Sequence, residues 1–242
     1  MDDCIAIITA RGGSRRIPRK NIKDFLGKPI IAYSIEAALT SEIFSTVMVS
    51  TDDGEIRDVA LKYGAEVPFL RSPDTSGDYA TTADVLKEVL TRYKDEGVGF
   101  KYACCLYPTA PFVTPEKLKR AMELLRSGSY DCVLPVTPFS FPVYRGMVLK
   151  DDKAFYRWPD FSKRRSQDLE TLYHDCGQFY MFRVKRFMET GELIDDNTGA
   201  MTVPETEVQD IDYETDWDIA EMKYTLFLKR RAGNDGDAAK GK

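Results

Sequence analysis

The sequence predicts an α/β fold: a mostly parallel sheet flanked by helices. Two observations carry this. Short apolar runs alternate with longer stretches of helical periodicity from the N-terminus to about residue 138. The chain is also large enough, at 242 residues of which 43% are hydrophobic, for one large domain or a domain with a small appendage.

The elements follow in order. CIAIIT reads as a first buried strand, and the loop ARGGSRRIPRKN leaves it. PIIAYSIEAALTS reads as a helix, with Pro29 in its first turn and Ile31, Ile35, Ala38 and Leu39 on one face. TVMVST is a second strand, and EIRDVALKYG a helix stopped by Gly64. EVPFL is a short strand. TTADVLKEVLTRY is a Thr-capped helix that turns Val85, Leu86 and Val89 inward. YACCLYP, TPEKLKRAMELLRSG and DCVLPVTP then give strand, capped helix and strand. Alternation of this kind puts helices on both faces of the sheet and ligands beyond the carboxyl ends of its strands. The loop ARGGSRRIPRKN leaves the first strand at that edge.

The rhythm breaks between residues 140 and 172, where aromatics, prolines and charges mix without a period. A long surface excursion and an exposed dimerisation arm are the two readings. The arm is favoured, because interfaces are enriched in aromatics and arginine and long loops in compact domains are functional. QFYMFRVKRFM returns to order, and the chain closes with a strand, an acidic turn and a helix. We therefore expect one domain over residues 1–228, including the arm at 140–172, and a disordered tail at 229–242.

Charge and cysteine usage narrow the function. A net charge of −5 and a pI near 5.2 make the chain a poor general binder of nucleic acid or anionic membranes. No apolar run is long enough to span a bilayer, and MDDCIAIITA lacks the features of a secretion signal, so a cytoplasmic setting is expected. The 5 cysteines are odd in number and form no C-x-x-C pair, which suggests buried thiols. Cys176 differs in sitting among polar residues, but only His174 lies near it, which is thin support for a nucleophile.

Against that acidic background the loop from Ala10 to Asn21 stands out. It carries Arg11, Arg15, Arg16, Arg19 and Lys20 beside Gly12 and Gly13. Glycines allow close backbone approach, their amides can form an anion-binding concavity, and the cations add charge-assisted hydrogen bonds to phosphate. A solvated basic turn is the bland alternative, but so many cations are costly to gather without an anion. The spacing fits neither a Walker loop nor a dinucleotide fingerprint. A triphosphate is the most economical partner, of a base that this loop does not specify. A divalent metal would need acids elsewhere, and QDIDYETDWD supplies them. Asp210 and Asp212 alternate with Ile211 as in a short strand, which points both carboxylates to one side. Hard oxygen ligands of this kind suit magnesium, and a solvated acidic turn is the alternative. Asp216 and Asp218 fit the first turn of the closing helix.

These motifs resemble those of the nonulosonate cytidylyltransferases, the CMP-sialic acid synthetases. ARGGSRRIPRKN with GKPIIAYSIEAAL, VSTDDGEI, AEVPFLRSPDTSGDYATTADVL, LYPTAPF and DIDYETDWDIAE keep the family's order from Ile5 to about Tyr224. YHDCGQFY and LYPTAPF look most like the pseudaminate-activating subgroup. The resemblance implies a Rossmann-like nucleotidyltransferase fold, CTP and a nonulosonic acid as substrates, magnesium as cofactor and a homodimer.

It also implies roles for particular residues. Arg11, Gly12, Gly13, Ser14 and Arg15 would hold the triphosphate, with Lys20 and Asn21 as a further phosphate-contacting pair. Arg71, Ala80 and Thr82 match the segment that reads cytosine. Asp210 and Asp212 match the magnesium ligands, and Arg11, Lys20 and Asp212 would carry catalysis by offsetting charge. Two departures from the sialate enzymes fall on the sugar side. Tyr107 replaces a glutamine, and His174 to Gly177 replaces R-P-N-G. Tyr107, His174, Gln178 and Tyr180 are thus sugar-contact candidates, with a packed structural role as the alternative for His174. The implied reaction is in-line attack of the sugar's anomeric hydroxyl on the α-phosphorus. Pseudaminate comes first as substrate, legionaminate or N-acylneuraminate behind it. A non-catalytic nucleotide-binding module and an enzyme for the eight-carbon acid of lipopolysaccharide are the further alternatives.

Overall fold

The computed structural model describes residues 3–77 and 79–238. Its centre is a seven-stranded sheet. In chain order the strands are β1 (Cys4–Thr9), β2 (Thr46–Ser50), β3 (Tyr102–Leu106), β4 (Cys132–Pro138), β5 (Tyr173–Asp175), β6 (Phe179–Arg183) and β7 (Thr198–Thr202). Across the sheet the order is β7-β4-β6-β3-β1-β2, with β5 paired to β4. β1 lies parallel to both β2 and β3, and β7 parallel to β4. β6 is antiparallel to β3 and β4, and β5 antiparallel to β4. Most strands therefore share one direction, and the antiparallel β6 joins the two parallel groups.

Helices cover both faces, as the alternation requires. α1 (Ile30–Ser41), α2 (Gly54–Lys62) and α4 (Pro115–Ser127) bury Ile31, Ile35, Ile56 and Leu118 against one face, with Ala6, Ile8 and Val49 of the sheet. α3 (Thr82–Asp95) and α5 (Val184–Thr190) bury Leu86, Val89 and Phe187 against the other, with Ile5 and Ile7. The period of two along β1 thus sends successive residues into two separate cores. Caps set the helix starts. Thr81 and Asp84 form a reciprocal capping box on α3, and Thr114 accepts from Lys117 N on α4. Gly64, at φ +89, closes the turn after α2.

Three local expectations change. EVPFL makes only a single bridge, Glu66 to Met48, because the ladder stops there and Pro68 has no N–H to continue it. Leu39 is exposed rather than buried, lying past the end of the α1 stripe and beside Gly64. Asp210 to Asp212 form no strand, although the alternation survives: Ile211 is buried and both acids point away from it.

The closing helix α6 (Glu214–Ala238) enters through a third core of Ile17, Phe25, Ile30, Tyr33, Ile211, Trp217 and Ala220. Phe25 meets Tyr33, Trp217 and Tyr224 edge-on at 5.4–5.6 Å between ring centres. The helix also runs past residue 228, where disorder was expected to begin. Arg230 donates to Thr206, and Arg231 pairs with Glu116 of α4 at 3.6 Å, so the basic end is tied back to the body. Residues 239–242 of that expected tail lie outside the described residues.

Within 140–172 the chain forms an exposed hairpin, Met147–Lys150 with Lys153–Tyr156. Asp151 and Asp152 both sit at positive φ, the turn that matches the twist of a two-residue hairpin. Tyr144 stacks on Phe161 at 4.8 Å and braces the hairpin's base. No helix among the described residues is long and apolar enough to cross a membrane.

The third core joins the N-terminal loop to the C-terminal helix. Phe25→Ala should cost about 3–5 kcal/mol of stability, the range for truncating a buried aromatic ring. Urea unfolding of the two proteins measures it.

Candidate active site

The basic loop leaves β1 at its carboxyl end, and β2 and β3 end on either side of it. Parallel pairing places the Thr51–Asp53 segment after β2 directly against the loop. Gly12 N donates to Asp52 Oδ1 at 2.8 Å. A Cβ on Gly12 would stand 2.8 Å from Asp53 Oδ2, so only glycine lets the two segments meet this closely. Asp53 caps α2 by accepting from Glu55 N and Ile56 N, both at 2.9 Å. Its two oxygens also take the Arg19 guanidinium, at 2.6 and 3.0 Å. Arg19 hydrogen-bonds Glu55 as well and sits at φ 56, turning the loop back on itself. Asn21 is buried and donates to Arg11 O at 2.9 Å.

The acidic C-terminal segment closes the loop from the other side. Lys20 Nζ donates to Ile211 O and lies 3.8 Å from Asp212. Arg16 pairs with Asp212 at 2.7 Å and lies over the Tyr213 ring. Asp216 accepts from Asp212 N and Tyr213 N at 3.0 and 2.8 Å, fixing the entry to α6. Burial lowers the Lys20 ammonium from its ordinary value, with Asp212 and Asp210 opposing that shift. The lysine thus sits in a partly desolvated place beside carboxylates that favour its charged form.

Two contiguous cavities open at this edge. The first, about 370 Å³, is lined by Arg11, Ser14, Arg15, Arg16, Lys20 and Asn21 together with Tyr107, Pro108 and Thr109. The second, about 270 Å³, is lined by Arg71, Thr75, Gly77, Ala80, Thr81, Thr82 and Val85. Thr9, Arg11 and Tyr107 belong to both. One half of the cleft is thus cationic, and the other is small and mostly neutral. Arg71, with the shared Arg11, is the exception in the second half. It is buried, donates to Ser50 O at 2.7 Å and Ser50 Oγ at 3.1 Å, and forms a fixed wall.

Most of the residues singled out by sequence come together here. Arg11, Ser14, Arg15, Lys20 and Asn21 line the cationic half, and Arg71, Ala80 and Thr82 the neutral half. Gly12 and Gly13 shape the loop; Gly12 lies against Asp53, while a Cβ on Gly13 would meet no neighbour within 4 Å. Tyr180 lies behind Tyr107, ring centres 5.9 Å apart. His174 and Gln178 do not line either half. His174 packs against Phe139 with its Nδ1 2.9 Å from Asp175 O, and the buried Gln178 amide donates to Glu207 O at 2.6 Å. Cys176 is buried beside Val203 and Val208, and burial pushes its thiol up to about 12, which removes any nucleophilic role.

Asp52, Asp53 and Asp175 do work that sequence reasoning did not assign. For Asp52 and Asp53 the signal was present: an acidic pair ends a strand opposite a basic loop.

The residues for a metal fit a particular style of site. Among the described residues no cluster of three or more acids, histidines or cysteines could hold an ion alone. Asp210 and Asp212 offer two carboxylates beside the cationic cavity, the sparse protein share that magnesium takes when water and phosphate complete its shell.

Asp53 gives a pH test. Its hydrogen bonds to Arg19 and the helix amides lower its pKa from 3.8 to about 2. A depressed carboxyl stabilises the fold above its unfolded value, and that stability is lost as pH falls through the folded value. Wild-type stability should thus drop by about 2 kcal/mol between roughly pH 4 and pH 2 from this group. Asp53→Asn should remove that component of the slope in urea titrations across the same range. Gly12→Ala should weaken nucleoside triphosphate binding at least about tenfold, read by calorimetry, by forcing Asp53 off the loop.

Comparison with known proteins agrees with this geometry. The profile of the family described as Cytidylyltransferase matches residues 5–225. The pseudaminic acid cytidylyltransferase of Campylobacter jejuni is 41% identical over 223 residues, 92% of this chain and 96% of the relative. The CMP-N,N'-diacetyllegionaminic acid synthase of Legionella pneumophila is 33% identical, over 92% of this chain and 96% of its own. Among solved structures, a CMP:2-keto-3-deoxy-manno-octonic acid synthetase complexed with CTP shares the fold at a TM-score of 0.66 and 20% identity, over 94% of this chain and all of its own. The match over nearly the whole chain shows that the chain belongs to the cytidylyltransferase family.

Proposed function

We propose that this cytidylyltransferase activates pseudaminic acid with CTP, giving the CMP-sugar and pyrophosphate. The observation that carries the reading is the divided cleft. A cationic half fits a triphosphate, a small half walled by Arg71 fits a pyrimidine, and Arg11 and Tyr107 stand where the two meet. The 41% identity to a pseudaminic acid cytidylyltransferase over 92% of the chain supports this sugar over its relatives.

In the reaction, the anomeric hydroxyl oxygen attacks the α-phosphorus in line. A new P–O bond forms, the α–β bridging P–O bond breaks, pyrophosphate leaves, and the hydroxyl proton passes to water. Positioning and charge neutralisation supply most of the rate. Arg11, Arg15 and Lys20 hold the phosphates and offset the charge that develops on the leaving group. Asn21 keeps the Arg11 backbone in place through its carbonyl. Asp210 and Asp212 would hold magnesium, which when bound neutralises phosphate charge and lowers the pKa of an attacking hydroxyl. Asp212 also pairs with Arg16 and lies near Lys20, which ties this carboxylate to the basic loop.

We further propose a homodimer formed through the hairpin arm, in a cytoplasmic setting. Leu149 is 80% exposed there, and Met147, Val148 and Phe155 are exposed beside it. An apolar hairpin of this kind is poorly suited to water and well suited to a second copy.

Pyrophosphate release with CTP and a panel of nonulosonic acids tests the activity. Turnover should be fastest with pseudaminic acid; CTP binding without release from any sugar would instead favour a non-catalytic module. A preference for the eight-carbon acid would reassign the substrate. Asp212→Asn should lower turnover at least about a hundredfold, as loss of several kcal/mol of charge stabilisation requires. Light scattering should give twice the chain mass, and Leu149→Asp should give the single-chain mass.

A further inference from the structure

Part of the neutral half of the cleft is walled by a single helical turn, Pro73–Ser76, which supplies Thr75 to the lining and runs on to Gly77. Arg71, just before it, is held from the sheet side by its bonds to Ser50 and by its N–H to Thr51 O at 2.8 Å. A lone turn is too short to keep its own shape. Among the described residues, the bonds that tie this one to α3 converge on one carboxylate. Glu88 Oε1 accepts from Ser72 N at 3.0 Å, and Oε2 accepts from Ser72 Oγ at 3.0 Å and from the Thr75 hydroxyl. Arg92 Nη2 reaches Oε1 at 2.8 Å. Arg92 Nη1 also donates to Leu70 O at 3.2 Å, and its guanidinium lies 4.6 Å from the centre of the Phe69 ring. Glu88 and Arg92 thus grip the chain on both sides of Arg71.

Helical spacing lets α3 line the cavity and hold its wall together. Thr81, Val85, Glu88 and Arg92 follow one another at intervals of three or four residues, which puts them on one stripe. Thr81 and Val85 line the cavity, while Glu88 lies outside it, one turn further along. A carboxylate suits that place. Once ionised it only accepts, and its two oxygens can take several donors at once. The Glu88 side chain is 12% exposed, so water is a poor substitute for the donors around it. Burial pushes the carboxyl up, but the bonds from Thr75 and Ser72 and the Arg92 charge outweigh it and hold the group below its ordinary value.

We propose that Glu88 is a positioning residue: it docks the Pro73–Ser76 turn on α3 and so presets the wall against which the base of CTP packs. The inference rests on the reading of this half of the cleft as the base site. Glu88 acts through Ser72 and Thr75. Without it, the turn must be ordered whenever a nucleotide binds, and affinity falls with the fraction of molecules whose wall is out of place. The cationic half is built by other segments, the basic loop and Tyr107 to Thr109. The loss therefore falls on the nucleoside and not on the phosphates.

Inorganic tripolyphosphate probes the cationic half alone, and CTP probes both. Each is titrated by calorimetry into wild-type, Glu88→Ala and Ser72→Ala proteins, with thermal melts to check folding. Alanine is a strong helix former, so Glu88→Ala removes the carboxylate and keeps α3. CTP affinity should fall about tenfold or more in Glu88→Ala, the effect of about one net hydrogen bond, while tripolyphosphate affinity stays within about twofold. Ser72→Ala removes one donor from the turn, leaves Glu88 paired with Arg92, and should lower CTP affinity alone by about threefold. It keeps the test decisive if Glu88→Ala does not fold. Unchanged CTP binding in the folded variants overturns the proposal. So does an equal loss of CTP and tripolyphosphate, which would mark Glu88 as merely structural. ATP titrated into wild type checks the base site separately. Binding as tight as that of CTP would refute the reading of a small pyrimidine site, and the role of Glu88 with it.

Discussion

The cleft depends on neutralising one loop from two directions. Five cations between Ala10 and Asn21 would repel one another if left alone. Asp53 takes Arg19 with both oxygens, and Asp212 takes Arg16 and stands near Lys20. These carboxylates come from chain segments far apart in sequence. One follows β2, brought alongside by parallel pairing with β1, and the other precedes the closing helix. The loop is fixed by these contacts in a shape that keeps Arg11 and Arg15 on the cavity wall. Preorganised charge of this kind stabilises a developing anion without reorganisation during reaction.

The acidic segment can serve only because the third core holds it. Ile211 is buried among Phe25, Tyr33 and Trp217, and its carbonyl receives Lys20. The carboxylates on either side of it are thereby turned outward. The same core contains Ile17 from the basic loop, so loop and acids are packed through a single cluster of side chains. Stability and chemistry are coupled at this point: loosening Phe25 moves both halves of the charge pattern at once. Its position explains why a helix at the far end of the chain belongs to a site that starts at residue 9.

Much of this was legible in the sequence, for identifiable reasons. The strand and helix alternation, the Thr81 and Thr114 caps and the Gly64 stop follow from local rules and were read correctly. The basic loop was visible because its charge contradicts the rest of the chain. The role of Asp53 was only half legible: the acidic pair after TVMVST was visible, but its place against the loop needs the pairing of β1 with β2, which no local pattern encodes. QFYMFRVKRFM reads as a return to order but does not disclose that β6 runs against its neighbours. EVPFL had a strand's composition and lacked a ladder to join.

The division of labour across the cleft is therefore physical. Fixed cations line one half, a buried arginine walls the other, and the acidic pair stands beside the basic loop. What joins these parts is the claim that the sugar's own oxygen becomes the bridge to phosphorus. Phosphorus-31 spectra of the product made from sugar carrying oxygen-18 at the anomeric hydroxyl test it most directly. The account predicts that the label is retained in the bridge and shifts the phosphorus resonance. An unshifted resonance, with the label lost to water, would contradict it.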